Sequence, residues 1–432
     1  MSANPEYFYD ERRGRYWHRT GRSEWVDKSE TQLRRWLKQQ GIRDFADRKA
    51  GEVVSPLEVE LIDAETDRRV FYAGPLAGYR EGVHEMDAAR ILVTRSPRLL
   101  DPRPGEWPTL AAWFKALLCA PDDEVDQRPY FHGWMRQTLE SLYAGWWSRG
   151  LFLALAGEAG SGKSLMTEIV RIGTGGRVAK PYRYMIGQDN FNEEMFESVL
   201  QLIDDENADT SIRARRQFAA QIKQIVANSE ARCRGMHQKA MTLKPVWRLL
   251  AAVNLEPDNL MVLPPVDDDI ADKMMLLRVY SGFEYPRREA EKRALFERMV
   301  SELPSYVHWL LHEWEIPEYL SGRFGITHFH HPDVLEVLDE TSPFERLGRL
   351  IDAAILVRAP EWRGTAADLE RVLKAEDNGL LRADRDWIPQ PVWLGRHLHR
   401  LSAKYGEHRY SLSVKNRLGK QWTILRERSV AE

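Results

Sequence analysis

The run Gly157-Glu158-Ala159-Gly160-Ser161-Gly162-Lys163-Ser164 has the residue types and the spacing of a phosphate-binding loop. Glycines let the backbone bend so that successive N–H groups, and the N-terminus of a following helix, converge on dense negative charge. Gly157, Gly160, Ser161 and Gly162 would form the cradle. Lys163 would bring a mobile cation to the outer phosphates, and the Ser164 hydroxyl would take a place in a magnesium shell. An apolar stretch, 151–156, precedes the run and a helical pattern, 165–172, follows it, which is the context that gives this string a mechanical meaning. ATP and Mg2+ are therefore the expected cofactors.

Phosphoryl chemistry on such a loop also needs a carboxylate at the end of a neighbouring strand to hold the metal and its water, and another to orient the attacking water. Leu200-Gln201-Leu202-Ile203-Asp204-Asp205-Glu206 supplies both about 40 residues on. Counted from the strand, Asp205 falls at the metal position and Glu206 at the base position; a slip of one residue promotes Asp204 to metal ligand. A third apolar strand, 248–253, ends in Asn254, whose amide could hydrogen-bond the terminal phosphate or the attacking water.

These groups need elements to hold them. From about residue 151 apolar strands (151–156, 199–203, 247–253, 275–280) alternate with longer helical stretches, which predicts a three-layer α/β domain with a mainly parallel sheet. Before it, 7–10 and 15–18 read as an aromatic hairpin and 24–26 as a third short strand. A helix follows, with Ser29 and Gln32 as its capping box and Gly41 at its end. From 53 to 100 the pattern is one of short strands broken by Gly-Pro and Pro turns, with Asp63, Glu65, Thr66 and Asp67 as a solvated turn. The expected division is 1–120 as an N-terminal α+β domain, 121–149 as a linker helix, 150–315 as the nucleotide domain, 316–360 as a helical region and 361–432 as a winged-helix-like domain.

Composition bounds the rest. The 432 residues are 43% hydrophobic and hold no apolar run of membrane-spanning length, and the opening MSANPEYFYD is polar and acidic rather than a secretory leader. Cys119 and Cys233 stand far apart, which excludes a zinc ribbon and fits a reducing compartment, so the cytoplasm is the expected location and no membrane partner is expected. Net charge is only −3, but an average conceals local fields. Between 211 and 250 nine basic residues, Arg215 and Arg248 among them, face one acidic residue, Glu230. A second basic stretch, 393–428, sets nine basic residues against Glu407 and Glu427 and would suit duplex DNA, with 394–405 as recognition helix and 415–420 as wing.

The phosphate loop, the acidic strand and the Asn254 strand, in this order within about 100 residues, resemble the helicase domain of the superfamily 3 helicases, specifically the phage and plasmid primase-helicases, over residues 145–315. That resemblance implies an AAA+-like P-loop NTPase fold, a homo-hexameric ring around a single-stranded or forked DNA, and ATP bound between subunits. It also implies a hairpin projecting into the channel. The stretch Arg232-Cys233-Arg234-Gly235-Met236-His237-Gln238-Lys239 occupies that place, so Arg234, His237 and Lys239 are the expected strand contacts. The family's trans-acting arginine finger corresponds here to Lys273, with Arg278 and Arg215 as alternatives, because a lysine lacks the planar bidentate reach of arginine. About 140 residues precede the nucleotide domain and show no primase carboxylate set, so a primase or other replication protein is expected as a separate chain. The same residues would also serve an ATP-switched DNA-binding initiator, loader or defence protein without processive unwinding. A small-molecule kinase would leave both basic stretches without a role. His328, His330 and His331 invite a metal reading, but Phe329 and Pro332 favour a packed turn.

Overall fold

Alternating aromatic and polar residues make the first strands a meander. In the computed structural model, which describes residues 7–21, 24–86, 89–119, 125–204, 209, 211–235, 240–267, 269–340, 342–413 and 420–426, Tyr7–Asp10 pairs with Arg15–Arg19 and the latter with Trp25–Lys28, all antiparallel. Arg69–Val70 adds a parallel strand beside Tyr7–Asp10. Tyr7 and Tyr16 point to one face, where Leu33, Leu37, Leu57, Leu61 and Ala64 cover them, while Phe8 and Trp25 bury the other face with Val70, Ala73 and Leu92. The first covering helix, Glu30–Gln39, carries the expected capping box: Ser29 Oγ accepts from Gln32 N–H and the Gln32 side chain accepts from Ser29 N–H.

The second covering helix corrects the sequence reading of 53–67. Pro56–Thr66 is helical, capped by Ser55, and Asp63, Glu65 and Thr66 belong to its last turns. Leu57, Leu61 and Ala64 recur at helical spacing on its buried side, and Pro56 sits at the helix start, where its missing N–H costs nothing. Glu60 and Glu65 are tied to the hydroxyls of Tyr7 and Tyr16.

Five parallel strands form the central sheet in the order Met274–Val279, Phe152–Gly157, Arg248–Asn254, Leu200–Asp204, Val178–Ala179. Every residue of Phe152–Gly157 is buried, so both faces of the sheet are covered there, as continuous apolar strands require. Lys163–Gly173 and Ile212–Ala227 pack on it. The free side of Met274–Val279 is closed by the 329–331 segment: Leu276 N–H donates to Phe329 C=O at 2.8 Å and His331 N–H to Leu276 C=O at 2.9 Å.

The chain divides into two compact units, Met1–Leu255 with Asp267–Val334, and Glu256–Val266 with Leu335–Glu432. The second contains the helix Pro343–Ile351, the strand Glu361–Gly364, the helices Ala366–Lys374, Arg382–Trp387 and Pro391–Tyr405, and the strands Tyr410–Leu412 and Trp422–Leu425. Its antiparallel sheet places Trp422–Leu425 between the other two strands, and Leu347, Leu369, Leu394, Leu398, Tyr410 and Ile424 are in its core. Among the described residues no helix is long and apolar enough to cross a membrane, and Cys119 and Cys233 are free thiols.

Candidate functional site

The loop between Phe152–Gly157 and Lys163–Gly173 is built around glycines for two separate reasons. Gly160 and Gly162 have φ of +79° and +105°, the left-handed region that side chains rarely adopt. Gly157 and Gly162 are also crowded: a Cβ on Gly157 would lie 2.4 Å from Val279 C=O, and one on Gly162 would lie 2.1 Å from the Tyr285 hydroxyl. Lys163 is 8% exposed, and its ammonium is folded into the loop, donating to Gly157 C=O at 2.8 Å and Glu158 C=O at 2.7 Å. Ser161 Oγ lies 3.5 Å from the same ammonium. Ser164, in the first helical turn, is exposed.

Asn254 is in register with Gly157, and Leu255 N–H donates to Gly157 C=O at 3.1 Å. The strand order thus sets the amide beside the first residue of the phosphate loop, with the acidic strand one position further out. Asp204 is in register with Ala252, two residues short of Asn254, and its carboxylate pairs with Lys180 at 2.7 Å. Asp205 and Glu206 lie outside the described residues. The structure therefore brings together Gly157, Gly160, Ser161, Gly162, Lys163, Ser164, Asn254 and the strand end that carries Asp204.

Sequence reasoning missed two supports of this site. The Tyr285 hydroxyl stands against Gly162 and accepts from Trp113 Nε1–H at 2.9 Å, so the segment after Met274–Val279 backs the loop. Lys180 follows the outermost strand and engages Asp204. Neither carries a local signal, since each acts on a residue distant in sequence.

Lys273 lies at the start of Met274–Val279, whose far end is in register with Gly157. Six residues of strand separate them, about 20 Å at ~3.3 Å per residue. Its ammonium donates to Asp269 C=O at 2.9 Å and Asp272 Oδ1 at 2.5 Å and lies 5.4 Å from the Phe324 ring centre. Lys273 thus stands apart from the phosphate loop of its own chain. Arg278 is level with Ala156 and forms an ion pair with Asp333. Arg215 is 7% exposed, which removes it as a finger, because a group acting on a neighbouring subunit must reach the surface.

The expected hairpin is present: Ala231–Cys233 pairs antiparallel with Met241–Leu243. Cys233, Met241 and Leu243 are buried while Arg232 and Arg234 are exposed; His237 and Lys239 lie outside the described residues. Its base is clamped by contacts absent from the sequence reading. Asn192 Nδ2–H donates to Arg232 C=O at 2.9 Å, Asn192 Oδ1 accepts from Arg234 N–H at 2.8 Å, and Asn192 N–H donates to Arg234 C=O at 3.1 Å. The adjacent Glu193 pairs with Arg13 at 2.6 Å, and an Arg12 N–H reaches Met241 Sδ at 3.2 Å. The turn carrying both arginines is shaped by Asp10 Oδ1, which accepts from their backbone N–H groups at 3.0 and 3.2 Å.

The basic excess of 211–250 reaches the surface only in part: Arg213, Arg216, Arg232 and Arg234 are exposed, whereas Arg215 and Arg248 are buried. Arg248 is 3% exposed and donates to Trp247 C=O at 2.9 Å, Ser148 C=O and Ser141 Oγ at 3.1 Å, and Ser148 Oγ at 2.9 Å. Burial pulls the guanidinium pKa of both Arg248 and Arg215 down to about 10, which leaves them charged at neutral pH but out of reach of a ligand. Lys223 pairs with Asp269 at 2.9 Å and Lys244 with Glu230 at 3.5 Å. His330 and His331 are tied into the fold. His330 bonds Met274 C=O at 3.2 Å, with its pKa lowered by burial and by His328, and His331 bonds the Tyr280 hydroxyl at 2.8 Å. No metal-holding cluster of His, Cys, Asp or Glu occurs among the described residues.

Residues 155–269 match a family of unknown function (DUF5906). No curated protein matches the chain. Among solved structures the chain is similar to the C-terminal region of NrS-1: an A-form apo structure aligns at a TM-score of 0.55 and 10% identity, covering 98% of this chain and 97% of that one. A second apo structure of that region gives 0.54 at 10% identity, with 98% and 96% covered. At this identity the likeness is one of fold, and it runs through nearly the whole length of both chains.

Proposed function

We propose that this chain is an ATP-dependent nucleic-acid helicase or translocase of the phage and plasmid primase-helicase type, acting in the replication of a phage, plasmid or other mobile element. The observation that carries the proposal is the register of Asn254 with Gly157 on a sheet whose next strand ends in Asp204. A phosphate loop, a polar amide and an acidic strand end are thereby held on adjacent strands at one edge. The full-length likeness to the NrS-1 C-terminal region supports the same reading, as does the residue-level resemblance to superfamily 3 helicases.

The loop suits a nucleotide's phosphates on its own geometry, because two positive-φ glycines turn its backbone and the Lys163 ammonium is folded into it. Bound with magnesium, ATP would supply the anhydride whose cleavage drives movement. The backbone N–H groups of 160–164 bind the phosphate chain, and Lys163 leaves its two carbonyls for the outer phosphates. The Ser164 hydroxyl and the acidic strand end, Asp205 with Asp204 as the alternative, would hold the metal. Glu206 takes the proton of the attacking water, and the Asn254 amide orients that water or reads the terminal phosphate. In a homo-hexameric ring Lys273 or Arg278 of one subunit would complete the site of the next, and the hairpin bearing Arg234, His237 and Lys239 would follow a DNA strand.

The test is unwinding of a forked DNA duplex by purified protein with ATP. Lys163→Ala is expected to lower hydrolysis about 100- to 1,000-fold, the usual scale for losing one charge-stabilising donor, and to abolish unwinding. Unwinding that survives this substitution would sink the proposal, and ATP hydrolysis without any strand displacement would favour the ATP-switched binding protein instead.

A further inference from the structure

The turn of the first N-terminal hairpin, 11–14, reaches the hairpin that bears Arg234 along two arms. Asp10 aims both. It is fully buried, its Oδ1 accepts from the N–H groups of Arg12 and Arg13, and Gly14, with φ of +62°, closes the turn by donating to Asp10 C=O at 2.9 Å. The target has little of its own to hold it: Ala231–Cys233 and Met241–Leu243 are three residues each, and an isolated two-stranded ribbon is marginal in water. The Arg13 arm ends on Glu193 at 2.6 Å. Glu193 directly follows Asn192, which is 4% exposed and whose three bonds hold the backbone of Arg232 and Arg234.

The Arg12 arm is internal. Its side chain is 1% exposed, Nη1 lies 3.2 Å from Met241 Sδ, and the guanidinium lies 5.8 Å from the Tyr72 ring centre. Cys233, opposite Met241 in the hairpin, is buried too, and burial pushes its thiol up to about 12, so the two sulfurs are neutral. Arg12 Nε and Nη2 find no hydrogen-bond partner among the described residues, and Nη2 lies 3.9 Å from Glu193 Oε1. Packing alone would favour an aliphatic side chain in such a place, since unmet donors in the interior are costly. A guanidinium adds what an aliphatic side chain lacks, a second positive charge beside Glu193. Glu193 is thus the node on which both arms converge.

We propose that the N-terminal domain is the brace of this hairpin: Arg12 and Arg13 fix Glu193, Glu193 fixes Asn192, and Asn192 fixes the backbone of 232–234, so that the turn 11–14 sets where Arg234 stands for a nucleic-acid strand. Arg12 and Arg13 act as positioning residues and do not touch the strand. The proposal rests on the reading of the hairpin as the strand-contacting element; what it adds is the part that holds the hairpin in place.

Hydrogen exchange on the full chain, without nucleotide or DNA, reads the hold directly, and fluorescence anisotropy with single-stranded DNA reads its use. Glu193→Ala should speed exchange of the amides of 231–243 about threefold or more and weaken single-strand affinity several-fold, while exchange of 152–157 and basal ATP hydrolysis stay the same. Arg13→Ala should do the same to a smaller extent, because Arg12 remains beside Glu193. The two together should be no worse than Glu193→Ala alone, whereas residues that met the strand separately would give additive losses. Arg13→Lys, which keeps a cation at Glu193, should recover most of the Arg13→Ala loss. Arg12 stays in place throughout, since removing a buried side chain endangers the fold itself. Unaltered hairpin exchange in Glu193→Ala, or additive affinity losses, would overturn the proposal. Faster exchange with unaltered single-strand affinity would keep the hold and take the strand away from the hairpin, so the earlier reading and this one fail in different ways.

Discussion

The phosphate loop and the basic stretch of 211–250 are about equally conspicuous as sequence, and the structure treats them in opposite ways. In the loop, residue type is set mainly by the loop's own backbone: positive φ at Gly160 and Gly162 and a lysine that folds onto the loop's own carbonyls, with the close approach of Val279 to Gly157 added by the fold. In the basic stretch the count of charges overstates what reaches the surface. Arg215 and Arg248 are buried and Lys223 and Lys244 are paired, while Arg213, Arg216, Arg232 and Arg234 remain at the surface. A loop shaped by its own backbone can be read from a short string. A surface field depends on which side chains the fold turns outward, and the string does not carry that.

The largest test of this contrast is Arg248→Met. Four strong acceptor contacts would be stranded in the interior, so the urea midpoint should report a loss of about 3–5 kcal/mol, while single-strand affinity per folded molecule stays the same. A stable variant with weakened DNA binding would return Arg248 to the nucleic-acid face and break the comparison.

Next in size is the pair Gly160→Ala and Gly162→Ala. Each forces a side chain into the left-handed region at about 1–2 kcal/mol, but only the Cβ on Gly162 runs into Tyr285. Nucleotide affinity should fall further for Gly162→Ala, and adding Tyr285→Phe should restore part of it. Equal losses, or no rescue, would deny Tyr285 its backing role.

Arg234→Ala should weaken single-stranded DNA binding several-fold and flatten the salt slope by about 0.7 without moving the melting temperature, because the side chain is exposed. Salt-titrated anisotropy decides it; an unaltered slope would place the strand elsewhere. The smallest expected effect concerns Asp204. With Asp205 as the metal ligand, Lys180→Ala breaks only a solvent-screened pair and leaves the magnesium concentration for half-maximal hydrolysis within twofold of wild type. A fall of threefold or more would transfer the metal to Asp204.

Much of the fold was legible in particular residues. The four expected strands of the central sheet appear within a residue of their expected starts and ends, because continuous apolar runs bounded by Gly, Asp or Asn leave little latitude. The capping box at Ser29 was likewise visible, whereas the hairpin was expected at 232–239 from the family resemblance, and the strands Ala231–Cys233 and Met241–Leu243 that flank that stretch pair. The helix Pro56–Thr66 was misread because its Gly-Pro and Pro surroundings outweighed a short apolar spacing that only the Tyr7 and Tyr16 face makes meaningful. At the site, Lys180, Tyr285 and the Asn192 clamp went unseen: each makes its contact with residues that are far away in sequence and adjacent only after the sheet is assembled.

The sequence by itself determined the glycine-rich loop of 157–164, the strand that delivers it and the order in which the acidic and Asn254 strands follow, since backbone strain, helix initiation and hydrophobic periodicity are local properties. Tertiary structure alone decided that the Asn254 strand lies between the other two, that Lys273 stands at the opposite edge of the sheet from its own phosphate loop, and that Arg248 is an internal brace. The physical reason is that strand order and burial are settled by packing among segments far apart in the chain, where one guanidinium can equally well meet a phosphate in water or a ring of carbonyls in the core.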